Sequence, residues 1–222
     1  MNYTFDFGPV LEGLPDLLWG CVGTLQLALS GMVLALAIGI GGVVLRQSHV
    51  AALRWLVIAF VEAIRNTPFL GQIYFIFFAL PLVGVRLDPT LTAIIALGIN
   101  GGAYAIEIIR GGVQSINKGQ VEAGLALNLS RSQVFHLIVL KPALRAIYPS
   151  LTSQFIMLTL TTSIASAISA YELTSVGQTI ETNTFRSFEV YGVVTLLYFV
   201  MSWMLMQMFA LINARYFSYP VK

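Results

Sequence analysis

Five stretches of the chain, residues 17–45, 66–85, 89–106, 146–171 and 190–214, contain no charged side chain. Each is close to or longer than the roughly 20 residues that an α-helix needs to cross a hydrocarbon core. Lipid offers no partner to a backbone amide or carbonyl, so a spanning segment must close its hydrogen bonds internally, as a helix or within a barrel. The stretches are continuously apolar rather than alternating with a period of two, which selects helices. Hydrophobic residues make up 57% of the chain and charged residues 10%, values that exclude a soluble globular domain. The fold class is therefore an all-α membrane protein, a single transmembrane domain over residues 1–222 with five transmembrane helices.

The spans are expected at about 17–45, 52–81, 89–110, 146–171 and 190–214. The second begins ahead of its uncharged stretch as an amphipathic segment carrying Glu62 and Arg65. A break is expected at Pro68, which lacks a backbone donor. The first stretch is too long for the apolar region of a signal peptide and has no Lys or Arg before it, so it is expected to remain in the protein. Small residues at Gly31, Ala35 and Gly39, and at Gly98 and Gly102, would let helices pack closely.

An odd number of spans places the termini on opposite sides, and the Lys and Arg distribution says which is which. Arg46 and Arg54 lie between spans one and two, Arg110, Lys118, Arg131, Lys141 and Arg145 between three and four, and Arg215 and Lys222 after five. The opposite segments hold Arg86 and Arg186 among Asp6, Glu12, Asp16, Asp88, Glu172, Glu181 and Glu189. The basic side is expected to be cytoplasmic and the amino terminus outside.

Catalytic and metal chemistry find no constellation in this sequence. Cys21 is the single cysteine and His49 and His136 are the only histidines, so no disulfide or metal ligand set suggests itself. There is no GxxxxGK[ST] run for nucleotide phosphates, no HExxH and no GxSxG. The reading is of a chain that is not itself an enzyme, holds no cofactor, is surrounded by membrane lipid and has no nucleic-acid partner.

The polar stretch EAGLALNLSRSQVFHLIVLKP, residues 122–142, interrupts this apolar pattern. Residues 120–127 read as a first helix, and Asn128 as its left-handed cap, since Asn tolerates positive φ better than other side chains with a Cβ. Ser130 followed by Gln133 makes a capping box that opens a second helix, which Pro142 is expected to limit. The segment at about 118–142 should thus be a stiff helix–turn–helix projection between spans three and four.

That segment resembles the EAA loop of permease subunits of ATP-binding-cassette importers, whose pattern is Glu-Ala-Ala, three residues, Gly, nine residues and Ile-x-Leu-Pro. Glu122, Ala123, Ile138 and Leu140 match in register, whereas Gly124, Asn128 and Lys141 depart, the last displacing the proline to Pro142. Further blocks at residues 24–27 (TLQL), 62–68 (EAIRNTP) and 100–115 (NGGAYAIEIIRGGVQS) resemble the polar amino-acid branch of these binding-protein-dependent permeases. The resemblance implies a multi-pass protein of the bacterial inner (plasma) membrane that forms the translocation pathway for a polar amino acid. It implies ATP and Mg bound by separate ATP-binding-cassette ATPase subunits, a second permease subunit, identical or related, and a soluble extracytoplasmic substrate-binding protein. Glu122, Ala123, Gly124 and Asn128 become the candidate ATPase-coupling residues, with Gly124 kept small for docking, and the outer acids between Glu172 and Glu189 a landing surface for the binding protein.

The candidate substrate pathway comprises Thr159, Thr162, Ser163 and Ser166, which share a face at ordinary α-helical spacing, together with Glu62, Arg65, Asn100 and Glu107. Two bland readings stand beside it: hydroxyls bonded to their own helix, and charged groups paired internally or seated at the interface. Many relatives carry Lys-Asp-Thr-Ser-Leu where this chain has Leu160-Thr161-Thr162-Ser163-Ile164, so a charged pair is missing here. The rival functional reading is a secondary transporter or channel for small polar solutes, for which the projection would have no purpose.

Overall fold

A computed structural model describes residues 3–217, and its regular elements are all helical. In order they are α1 (Gly8–Glu12), α2 (Leu14–Arg46), α3 (Ala51–Arg65), α4 (Phe69–Ala79) with a 3-10 turn at Leu80–Val83, and α5 (Pro89–Gln114). They continue with α6 (Lys118–Ala126), α7 (Arg131–Val134), a π turn at Phe135–Val139, α8 (Leu140–Thr161), a 3-10 helix at Thr162–Ile168, α9 (Leu173–Thr184) and α10 (Ser187–Tyr216). Lys222, used above in weighing the basic side, lies outside the described residues.

Helices α2 and α5 run parallel and form the spine of the bundle. Gly31 meets Leu97, Gly39 meets Ala105 and Leu34 meets Gly98, so small residues on both helices seat the partner's side chains. A Cβ on Gly39 would lie 2.7 Å from that of Ala105. Lipid tails do not drive helices together as water does, so such close van der Waals contact carries much of the association. Helix α8 is antiparallel to α5, with Ile147 against Gly112 and Leu158 against Gly101. Helix α10 returns along α8, where Tyr148 donates 2.7 Å to the Phe209 carbonyl.

Four helical segments are long and apolar enough to cross a membrane: Leu14–Arg46, Pro89–Gln114, Arg131–Ile168 and Ser187–Tyr216. A bent pair, Ala51–Arg65 and Phe69–Val83, meets at 110° and passes the same test when its two helices are taken together, which makes five if the pair is one span. The expected break at Pro68 is present. Pro68 caps α4 in an extended conformation, φ −64° and ψ 136°, and is a wide bend rather than a kink in one straight helix. Helix α3 packs its Val57 and Val61 with Val43 and Ile106, while α4 sets Ile73 with Ala93, Ala96 and Leu97.

The fourth span corrects two expectations. Pro142 does not limit the second helix of the projection; it sits in the first turn of α8, and the helix runs on from Arg131 to Ile168. The π turn just before Pro142 widens the backbone ladder where the ring would clash and the donor is missing. At its other end the span does not stay α-helical to residue 171. It tightens to a 3-10 helix at Thr162–Ile168 and stops at Ser169, whose φ is 59°.

Candidate coupling surface and translocation pathway

The projection is built by local rules. Asn117 caps α6, its side chain accepting from the Gly119 amide at 2.8 Å. At the other end Asn128 adopts φ 63°, with its own amide on the Leu125 carbonyl at 2.9 Å and the Leu129 amide on the Gly124 carbonyl at 3.2 Å. These two bonds form a Schellman closure. Ser130 and Gln133 then make the reciprocal capping box, at 2.8 and 3.3 Å. A small core of Val134, Val139 and Ala143, flanked by Val113, Val121 and Ile138, fastens the projection to the end of α5.

Within α6, Glu122 and Ala123 are exposed and Gly124 is buried. A Cβ at Gly124 would stand 2.5 Å from Ile138 Cδ1 and 3.1 Å from Val134 Cγ2. Its small size therefore serves packing inside the projection rather than the approach of a docked partner, which corrects the reading of this residue. Asn128 likewise shapes the turn. The surface free for a partner is Glu122 and Ala123, with Leu125 and Leu127 exposed beside them at 44% and 77%.

The hydroxyl row on the fourth span does not share one face. Thr159 and Thr162 are fully buried and donate to the Phe155 and Thr159 carbonyls at 3.0 and 2.7 Å. They satisfy their own helix, so they do not line a pathway. The change to 3-10 geometry, in which residues three apart eclipse, separates them from Ser163, Ser166 and Ser169. Ser163 and Ser166 also bond carbonyls of their own turn, at 2.8 and 2.7 Å, but remain partly exposed. Ser166 and Ser169 open into a cleft of about 630 Å³ at the end of the bundle away from the projection, lined also by Asp16, Tyr171, Gln178 and Thr179.

The remaining pathway candidates fall into two groups. Glu62 is exposed and accepts from Asn66 at 2.9 Å, and Arg65 lies over the Tyr104 ring at 5.3 Å. Both flank the 110° bend, which Gln72 ties together by donating to the Ile64 carbonyl at 2.8 Å and to Thr67. Gln72 accepts in turn from Asn100 of α5 at 2.9 Å. Glu107 is half-buried and pairs with Arg46 of α2 and, at 2.5 Å, with Arg110. Internal pairing is the reading that fits Glu107.

The acids expected on the outer side are not a uniform surface either. Glu172 is fully buried and caps α9, its carboxylate accepting from the Thr174 and Ser175 amides at 2.8 and 2.6 Å and from the Tyr198 hydroxyl at 2.5 Å. Burial pushes this carboxyl above the usual carboxylate range, and those donors pull it partly back. Glu189 is 1% exposed, accepting from the Tyr3 hydroxyl and from the Asp6 amide at 2.9 Å, with Arg186 at 3.6 Å. Two of the three acids from Glu172 to Glu189 are therefore anchors inside the fold, which corrects their assignment to a landing surface.

Sequence reasoning missed Gln72, Ser169 and the whole of α9. The signal for α9 was available, because Glu172 and Ser175 form a capping box in which the acid takes the cap position. Thr24, in the TLQL block, accepts from the buried Leu173 amide at 3.1 Å. Gly23 beside it lets the Tyr171 carbonyl come to 2.8 Å from where a Cβ would be. Among the described residues no group of three His, Cys, Asp or Glu is placed to hold a metal ion.

Comparison with known proteins matches residues 31–218 to the model of the binding-protein-dependent transport system inner membrane component. The glutamine transport system permease protein GlnP of Escherichia coli K12 is 38% identical over 208 residues, covering 89% of this chain and 91% of the relative. The L-cystine transport system permease protein TcyB of Bacillus subtilis is 37% identical over 167 residues, covering 75% and 69%. A chain in the crystal structure of an amino acid ABC transporter with histidines superposes with a TM-score of 0.90 at 28% identity, covering 96% of this chain and all of that one. The bundle, its bent helix pair and the polar projection thus find their place in a known architecture, and the chain belongs to the family of binding-protein-dependent transport system inner membrane components, as a permease.

Proposed function

We propose that this permease forms the translocation pathway of an ATP-driven importer for a polar amino acid, with separate ATPase subunits docking on α6. The projection is the observation that carries the reading. A helix closed by a Schellman turn and a capping box is stiff by its own bonds, yet leaves Glu122 and Ala123 outward with exposed Leu125 and Leu127. Such a lever can pass nucleotide-driven closure of a partner into the rod Arg131–Ile168 without bending. Nucleotide and Mg belong to that partner.

The orientation has the projection in the cytoplasm and the amino terminus outside. Supporting it, Arg46, Arg110, Lys118, Arg131 and Arg145 gather at one end of the bundle, whereas Asp16, Asp88, Glu172 and Glu181 gather at the other. A wall of five spans is too narrow to enclose a solute, so a second permease subunit faces this one, and a soluble binding protein delivers substrate to the α9 side. The outer cleft supplies hydroxyls, the Gln178 amide and the single carboxylate of Asp16. That set suits a zwitterion with an uncharged polar side chain, and glutamine is the first substrate to try because relatives are named as glutamine permeases.

The test is uptake of labelled glutamine into proteoliposomes holding the complete importer, with binding protein outside and ATP inside. Accumulation that stops when the ATP is replaced by a non-hydrolysable analogue supports the reading. Accumulation driven by an ion gradient alone, without ATPase or binding protein, would establish the secondary transporter instead.

A further inference from the structure

The charged cluster between α2 and α5 has more positive charge than its own partners consume. Glu107 is its one carboxylate, facing the guanidinium groups of Arg46 and Arg110. Arg110 spends one donor of each nitrogen internally, Nε and Nη2 on Glu107, the former at 3.2 Å, and Nη1 on Gln114 at 2.7 Å, which leaves a second hydrogen on Nη1 and on Nη2. Arg46 gives only Nη1 to Glu107, and its Nε and Nη2 meet no acceptor among the described residues. These side chains border a cleft of about 230 Å³ lined by Val43, Arg46, Gln47, Arg110, Val113 and Gln114. The surplus of one positive charge, with unused guanidinium donors in a fork, matches a phosphate oxygen pair.

The surroundings distinguish a lipid phosphate from a soluble one. The cleft sits at the last turn of the membrane-spanning α2, and the residues leading up to it along that helix are apolar and open, with Ile40 59%, Val44 65% and Leu45 42% exposed. A ligand with a phosphate head and a hydrocarbon tail satisfies both parts, and a basic pocket between spanning helices at the membrane border is where such heads are held. We propose that Arg46 and Arg110 seat the phosphate of an anionic phospholipid here, its acyl chain running along Ile40 and Val44. The leaflet follows from the orientation proposed above and is the inner one.

Native mass spectrometry of the complete importer in mild detergent tests this, with phosphatidylglycerol or phosphatidylcholine of the same acyl chains added. The wild-type complex should retain phosphatidylglycerol over phosphatidylcholine, and Arg46→Gln should lower that retention about fivefold. Arg46→Lys should keep part of it, since the charge remains and the fork is lost. The same spectra report whether each variant complex is assembled, so loss of folding is separated from loss of lipid. Equal retention by assembled Arg46→Gln overturns the proposal, and displacement of the lipid by millimolar inorganic phosphate shows a free-anion site instead. The leaflet is read separately, by an impermeant maleimide on Gln47→Cys in a Cys21→Ser background in right-side-out vesicles. Labelling there would overturn the orientation and the inner-leaflet assignment, while the retention data still decide the lipid site.

Discussion

The two ends of the bundle secure their short helices by opposite means. At the basic end, α6 and α7 close on themselves through the Asn128 turn, the Ser130–Gln133 box and a small core around Gly124. At the acidic end, α9 is held by distant partners: Glu172 reaches Tyr198 of α10, and Thr24 of α2 takes the Leu173 amide. A module closed by local bonds keeps its shape and offers its exposed side to a partner. A segment pinned to two long helices must move when they move.

If this contrast holds, substitutions at the two ends should fail in different ways. The largest effect is expected at Gly124→Trp, where even a Cβ comes within 2.5 Å of Ile138. The projection should open, becoming susceptible to protease while the spans stay inserted, and uptake should fall below a tenth of wild type. Ala123→Trp, on the exposed side of the same helix, should leave protease resistance intact and weaken only ATPase co-purification. Identical protease patterns for the two variants would remove the distinction between an inner and an outer face of α6.

Glu172→Ala is next. It removes an N-cap, strands two amides and leaves the buried Tyr198 hydroxyl with only Thr174 Oγ1 at 3.1 Å, a loss of about 2–4 kcal/mol that thermal unfolding in detergent would register. Glu172→Gln retains an acceptor and should lose less. Because burial raises the carboxyl's pKa in the folded protein, its contribution to stability is fully present below the ordinary glutamate value of about 4.3 and declines as pH rises through the raised value. The Gln variant should show no such decline, so parallel pH profiles for the two proteins would contradict the burial account.

Thr24→Val should cost about 1–3 kcal/mol, since it strands one buried amide without altering side-chain volume greatly. The smallest structural effect belongs to Ser166→Ala, which removes a hydroxyl bonded mainly within its own turn. Its stability change should stay within about 0.5 kcal/mol, while KM for uptake rises if the serine stripe meets substrate. An unchanged KM would move the pathway away from the outer cleft.

What could be read in advance divides along the same line. The caps at Asn128 and Ser130 were legible because they depend on residues at most five apart. So was the break at Pro68, which follows from a missing donor. The face of Thr159, Thr162, Ser163 and Ser166 was misjudged because a 100° step per residue gives way to 120° in the 3-10 segment, and that tightening serves packing of Ala165 and Ile168 beside Ile73. Glu172 and Glu189 resembled solvated charge because their donors, Tyr198 and Tyr3, are 26 and 186 positions away. Pro142 misled for a different reason: one π turn absorbs it.

The central claim is that the outward face of α6 receives the ATPase. The most direct measurement places a photoreactive benzophenone side chain at Ala123, and separately at the membrane-side Ser153, in the assembled importer, irradiates, and identifies the crosslinked protein by mass spectrometry. The account predicts that position 123 captures a P-loop ATPase subunit and position 153 does not. Capture of lipid or of the permease itself from position 123, in a complex that still hydrolyses ATP and transports, would contradict it.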